Sequence, residues 1–129
     1  MLDIKDPKEA RKIIRENKYT EQTAGTANEY VQGNLCILPS KYADDFSQFC
    51  KNNPKPCPLI GKGIKGNPTL PELGEIDIRT DVPQYRIWEK SELIEEPFDI
   101  KKYWKEDLVT FILGCSMSFE LPLIKAGIE

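Results

Sequence analysis

Phe49-Cys50-Lys51-Asn52-Asn53-Pro54-Lys55-Pro56-Cys57-Pro58 is the stretch around which the rest of the chain arranges itself. Each of Pro54, Pro56 and Pro58 fixes its own φ and drives the preceding residue away from helix. The segment is therefore a stiff, extended loop. It serves either as a rigid crossover between two elements or as a loop fixed so that its backbone and Cys57 face a pocket.

Upstream of the loop the pattern predicts a strand followed by a helix. Leu35-Cys36-Ile37-Leu38, within 30–38, is a short apolar run of the kind found in strands covered on both faces. Pro39 breaks it. Ser40 is the expected N-cap of a helix reaching Asn52, with Tyr42, Ala43, Phe46, Phe49 and Cys50 on one face and Asp44 and Asp45 in the first turn, where the helix dipole favours acids. Nearer the N-terminus, Asp6-Pro7-Lys8-Glu9 has the spacing of a helix start, and Ala10, Ile13 and Ile14 form its apolar stripe, with Asn17 as the end.

Downstream, Leu59-Ile60 starts a short strand, and residues 61–74 read as turn and loop. Gly61-Lys62-Gly63 lacks the spacing of a phosphate loop. Residues 76–96 alternate in the manner of a β-hairpin that Pro97 ends. From Asp99, a helix with Trp104, Leu108, Phe111 and Ile112 on one face and Gly114 as its stop competes with a buried strand over 108–113. A last helix, starting in 116–120, runs to Ala126 and ends at Gly127. Interleaved helices and strands predict the α/β class, with a mixed sheet and a β-hairpin in a single domain over 1–129.

Composition narrows the function. With 129 residues, 40% hydrophobic and 30% charged, the chain has the mix of a soluble globular domain. No apolar run is long enough for a transmembrane helix and no signal-peptide core is visible, so a cytoplasmic location is expected. The net charge is −3. Acids are concentrated in residues 72–107, whereas the first twenty residues are net basic. No basic stripe interleaved with aromatics is present, so neither nucleic acid nor membrane is an expected partner. Histidine is absent. That excludes Ser-His-Asp and Cys-His catalysis by this chain alone, and with no C-x-x-C pair it removes the usual zinc patterns. No metal and no organic cofactor is expected. Cys36, Cys50, Cys57 and Cys115 read as buried small apolar residues, with Cys57 or Cys115 as the alternative site thiol.

Four places combine polar groups with special backbone. Gln32-Gly33-Asn34 enters the first strand with amides that either bind a ligand or satisfy a sheet edge. Arg79-Thr80-Asp81 offers a planar fork suited to a carboxylate, with Asp81 orienting it or acting as a base; a structural ion pair is the alternative. Arg86 lies on the hairpin face opposite Tyr85 and Ile87, as a ligand contact or a solvated charge. Gly114-Cys115-Ser116-Met117-Ser118-Phe119-Glu120 sets small residues, two hydroxyls and a thiol beside an acid at a helix start, which suits either an oxyanion site or an ordinary serine cap.

Taken in order, Tyr30-Val31-Gln32-Gly33-Asn34-Leu35, Ile37-Leu38-Pro39, Asn53-Pro54-Lys55-Pro56-Cys57-Pro58-Leu59, Asp77-Ile78-Arg79-Thr80-Asp81-Val82-Pro83, Tyr85-Arg86 and Gly114-Cys115-Ser116-Met117-Ser118-Phe119-Glu120 resemble the D-glutamate cyclase family of hydro-lyases. The resemblance runs from about Ala24 to Ile128 and corresponds to the N-terminal half of that family. It departs at Glu29, where a glycine is expected, and at Gly33, where an alanine is expected. The resemblance implies an incomplete half of a larger α/β fold and the reversible conversion of D-glutamate to 5-oxo-D-proline and water.

On that reading Arg79 and Arg86 clamp carboxylates and Asn34 and Cys57 line the substrate site. Ser116 and Ser118 hold the developing oxyanion, and Glu120 or Asp81 moves the proton. The ligand is an acidic amino acid or its lactam. The alternative is a non-catalytic acidic-amino-acid-binding module or split-gene remnant. Phe119, Leu121, Leu123, Ile124 and Ile128 exceed what one short helix can bury, so a second copy or the family's C-terminal half is expected to cover them.

Overall fold

The computed structural model describes residues 5–16, 33–70, 76–114 and 127. Helix α1 spans Pro7–Arg15, and its start follows the local code: the Asp6 carboxylate accepts a hydrogen bond from the Lys8 N–H at 3.0 Å, Pro7 occupies the first turn, and Ala10 and Ile14 are buried. Glu16, one residue short of the expected Asn17, ends it.

A three-stranded sheet forms the centre. Strand β1 (Gly33–Pro39), helix α2 (Ala43–Asn52) and strand β2 (Leu59–Lys62) come first, then the hairpin strands β3 (Ile87–Glu89) and β4 (Glu92–Glu95), then strand β5 (Leu108–Gly114). The sheet order is β1-β5-β2, and β5 pairs antiparallel with both neighbours. The α/β class stands, but the described ladders are all antiparallel where a mixed sheet is expected.

Strand β5 overturns the expected helix from Asp99. What Asp99 begins is a single 3-10 turn, Lys101–Tyr103. The 104/108/111/112 spacing imitates a helical stripe because a central strand covered on both faces has no polar alternation to reveal it. Val109, Thr110 and Ile112 are β-branched and favour the strand. Val109 and Phe111 face α2, packing with Ala43, Cys36, Leu38 and Phe46. The Phe46 and Phe111 rings meet edge to face at 4.8 Å. On the other face Ile112 packs with Leu70 and Ile78, flanked by Leu35, Ile37, Ile76 and Trp104. Strand β1 thus divides its residues between two cores, as its unbroken apolar run requires.

Two further expectations change. Ser40 does not cap α2: its N–H donates to the Asp107 carbonyl at 2.6 Å, the chain makes a 3-10 turn over Ser40–Tyr42, and the helix starts afterwards with no side-chain cap. The α2 face is correspondingly rotated, with Ala43, Ser47 and Cys50 buried while Tyr42 and Phe49 are more than half exposed. The hairpin is real but shorter than expected. It turns through Lys90 and Ser91, both at positive φ (49° and 66°), the signature of the two-residue turn that matches strand twist. Residues 77–81 form a turn instead of a strand.

The proline loop returns to the sheet through its last residue. The Gly114 N–H donates to the Pro58 carbonyl at 2.8 Å, and a Cβ on Gly114 would stand 3.1 Å from the Pro58 ring. Gly33 faces Gly114 across the ladder, so β1, β5 and the loop converge at one sheet end.

Candidate functional site

The turn at 77–81 is built from its middle outward. Ile78 is fully buried against Leu70 and Ile112, and its N–H donates to the Pro68 carbonyl at 3.0 Å. The buried Tyr85 hydroxyl donates to the Ile78 carbonyl. Burial pushes the Tyr85 pKa up, so this phenol stays a donor. The Ile100 N–H donates to the Arg79 carbonyl, and the N–H groups of Thr80 and Asp81 both converge on the Asp77 carbonyl. With Ile78 turned inward and both flanks fastened, Asp77 and Arg79 are presented on a rigid frame.

Two arginine–aspartate forks result, and they differ in exposure. In the first, Arg79 Nε donates to Asp77 Oδ1 at 2.9 Å and Nη2 to Oδ2 at 2.8 Å. The Arg79 N–H donates to Oδ1 as well, at 3.0 Å. This pair is about one-third exposed, 35% for Arg79 and 30% for Asp77. The Arg79 hydrogen bond holds the Asp77 carboxyl below its ordinary range against the opposing effect of burial. In the second, Arg15 of α1 donates from Nε to Asp81 Oδ1 at 2.7 Å and from Nη2 to Oδ2 at 2.5 Å. The Asp81 side chain is 0% exposed, and it also accepts from Thr80 Oγ1 at 2.8 Å and the Asp77 N–H at 3.0 Å. Burial pushes the Asp81 carboxyl up, but the bonds from Arg15, the Asp77 N–H and Thr80 together outweigh it and keep the pKa low.

Asp77, not Asp81, therefore orients Arg79. Asp81 has its acceptor positions filled and ties α1 to the turn. The two residues lie in one turn but serve different partners. Arg86 is exposed just ahead of β3 and has no ion pair among the described residues. Asn34 is exposed opposite Leu113, and Cys57 is half-buried beside Pro58, so these two share the sheet end where Gly114 leads towards residue 115. Ser116, Ser118 and Glu120 lie outside the described residues, as does the last helix with its apolar surplus. Among the described residues no group of three or more His, Cys, Asp or Glu side chains is placed to hold a metal ion. No helix among them is long and apolar enough to cross a membrane.

Sequence reasoning missed the roles of Asp77 and Arg15. The first was signalled by the Asp-x-Arg spacing. The second had only the contrast between a basic N-terminus and an acidic 72–107 region to announce it.

No protein-family model matches the chain. Three relatives, all bearing the name "Putative hydro-lyase", are similar to it. One from Pelagibacter ubique (strain HTCC1062) is 77% identical over 128 residues, covering 99% of this chain and 49% of the relative. One from Bradyrhizobium sp. (strain ORS 278) is 57% identical over 107 residues, 82% of this chain and 39% of the relative. One from Rhizobium johnstonii is 54% identical over 124 residues, 95% of this chain and 46% of the relative. The chain spans about half or less of the length of these relatives. Over the span that it shares with them, the chain is similar to proteins that bear the hydro-lyase name.

Proposed function

We propose that this chain contributes the carboxylate-binding part of a hydro-lyase that interconverts D-glutamate and 5-oxo-D-proline, as its resemblance to the D-glutamate cyclases implies. Ring closure forms a bond between the amine nitrogen and the γ-carboxyl carbon and breaks one C–O bond. Two protons leave the nitrogen with the departing oxygen as water. The site must therefore hold one carboxylate still, stabilise charge on the carbonyl oxygen of the other, and move protons.

The observation that carries the reading is the Arg79 fork: a guanidinium fixed on a rigid turn, one edge held by Asp77 and the remainder reaching solvent. A pre-oriented guanidinium recognises a carboxylate with little further ordering. In this reading Arg79 is the principal clamp and Arg86 an outer one, while Asn34 and Cys57 line the sheet end. Ser116 and Ser118 supply oxyanion donors. Proton transfer falls to Glu120, because the Asp81 carboxylate is already committed to four donors.

A second reading follows from the half-length span: a module that binds an acidic amino acid without turning it over. Proton NMR of D-glutamate and 5-oxo-D-proline separates the two. The spectra are followed with this chain alone and with the part of the Pelagibacter relative that the chain does not cover. Interconversion in either mixture supports the hydro-lyase. Saturable line broadening of the ligand without interconversion supports the binding module. Neither effect overturns both.

A further inference from the structure

The free valences of the Arg79–Asp77 pair lie side by side. Of the five guanidinium N–H groups, Nε and one on Nη2 are taken by Asp77. That leaves both on Nη1 and the second on Nη2; the latter and one of the two on Nη1 form the end-on edge. The Asp77 carboxylate has about four acceptor positions. Among the described residues Oδ1 receives two donors, the Arg79 N–H and Nε, while Oδ2 receives only Nη2. The open acceptor is therefore on Oδ2, next to the open donor on Nη2. Both side chains are about one-third exposed.

The junction has the dimensions of an amino-acid head group. Hydrogen bonds of about 2.9 Å set at about 120° around Nη2 put a ligand carboxylate oxygen roughly 5 Å from Oδ2. An α-ammonium attached to the same carbon as that carboxylate bridges the gap when the carboxylate takes Nη2 through one oxygen and turns its amine towards Oδ2. The pair is also electrically balanced. A lone carboxylate arriving at Arg79 meets a guanidinium already neutralised by Asp77, whereas a zwitterionic head group places opposite charge against each member. Asp81, four residues on, cannot serve: its side chain is sealed and its acceptor positions are filled.

We infer that Asp77 is a substrate-recognition residue, accepting the α-ammonium of an amino acid whose α-carboxylate lies on the end-on edge of Arg79. The site thereby selects α-amino acids over carboxylates that lack the amine. This inference rests on the reading of Arg79 as a carboxylate clamp, and it assigns Asp77 recognition and not proton abstraction. Held ionised by Arg79, its carboxylate is a weak base and a good ammonium acceptor.

Isothermal titration of the chain with D-glutamate and with glutarate tests it. Glutarate keeps both carboxylates and lacks the amine. The wild type is expected to bind D-glutamate at least tenfold more tightly. Asp77→Asn should erase that preference, with the loss for D-glutamate at least tenfold greater than any loss for glutarate, and Arg79→Gln should weaken both ligands. If Asp77→Asn weakens both equally, Asp77 only positions Arg79 and the inference is overturned while the clamp stands. If Arg79→Gln changes neither, or the wild type binds neither, the clamp reading fails and takes the inference with it. A wild type without preference for the amine overturns the inference directly.

Discussion

Replacing Asp81 by alanine should destabilise the chain by about 3–5 kcal/mol, and the figure can be built from the fork it belongs to. Two donors lose an acceptor: the part-buried Asp77 N–H, and the buried Thr80 Oγ1, which keeps only the longer contact to the Asp77 carbonyl at 3.4 Å. Each buried donor left unmet costs about 1–3 kcal/mol. The Arg15 side chain is 49% exposed and recovers water, so its share is about 1 kcal/mol or less. The sum agrees with the range for breaking a buried pair. Urea unfolding followed by Trp88 and Trp104 fluorescence measures it; with a slope of about 2 kcal/mol per molar, the midpoint should fall by about 2 M. The pH dependence supplies a second check. The Asp81 pKa is depressed in the fold, so the stability it brings is present above the ordinary carboxylate value, about 3.9, and is lost as pH falls through the folded value. The gap between wild type and variant should therefore be full near pH 6 and shrink below about pH 4. A loss under about 1 kcal/mol near pH 6, or a gap that widens on acidification, refutes this account of how α1 is tied to the turn.

Other perturbations test the frame. Phe111→Ala, which empties a fully buried position of the sheet, should cost about 3–5 kcal/mol in the same urea assay. Gly66→Ala should cost more than about 1 kcal/mol, because φ there is +77° and a Cβ would stand 2.6 Å from the Glu106 carbonyl oxygen. Lys90→Asn combined with Ser91→Gly should raise stability by about 0.5–2 kcal/mol, since both turn residues sit at positive φ. Cys50 is 2% exposed and its pKa is raised by burial, so an aromatic disulfide reagent near pH 8 should modify it later than the half-buried Cys57; mass spectrometry of the labelled peptides gives the order.

What could be read in the sequence was mostly what is decided locally. The cap on α1 depends on a bond between residues 6 and 8, and the hairpin turn on two adjacent residues, so both were visible or nearly so. Strand β1 was legible because an apolar run of its length suits a strand with two covered faces. Strand β5 was legible only as the competitor of a helix, because its identity depends on β1 and β2 lying on either side of it, and its apolar spacing also fits a helix. Ser40 has the right residue type for a cap, but its N–H is taken by Asp107, a partner that only the folded sheet brings near. Within the candidate site, Arg79 was singled out from its chemistry, and its partner was misassigned by assuming a strand. In a strand Asp77 and Asp81 would flank Arg79 equally. In the turn, the N–H groups of Thr80 and Asp81 gather on the Asp77 carbonyl, which leaves the Asp77 carboxylate on Arg79 and sends Asp81 inward to a residue sixty-six positions away.

The central claim is that Arg79 presents its free guanidinium edge to a carboxylate. Nitrogen-15 NMR of the arginine side chains during titration with 5-oxo-D-proline tests it most directly. The account predicts saturable movement of the Arg79 Nε and Nη signals while the Arg15 signals, already committed to Asp81, stay in place. Stationary Arg79 signals at ligand saturation, or movement confined to Arg15, would contradict it.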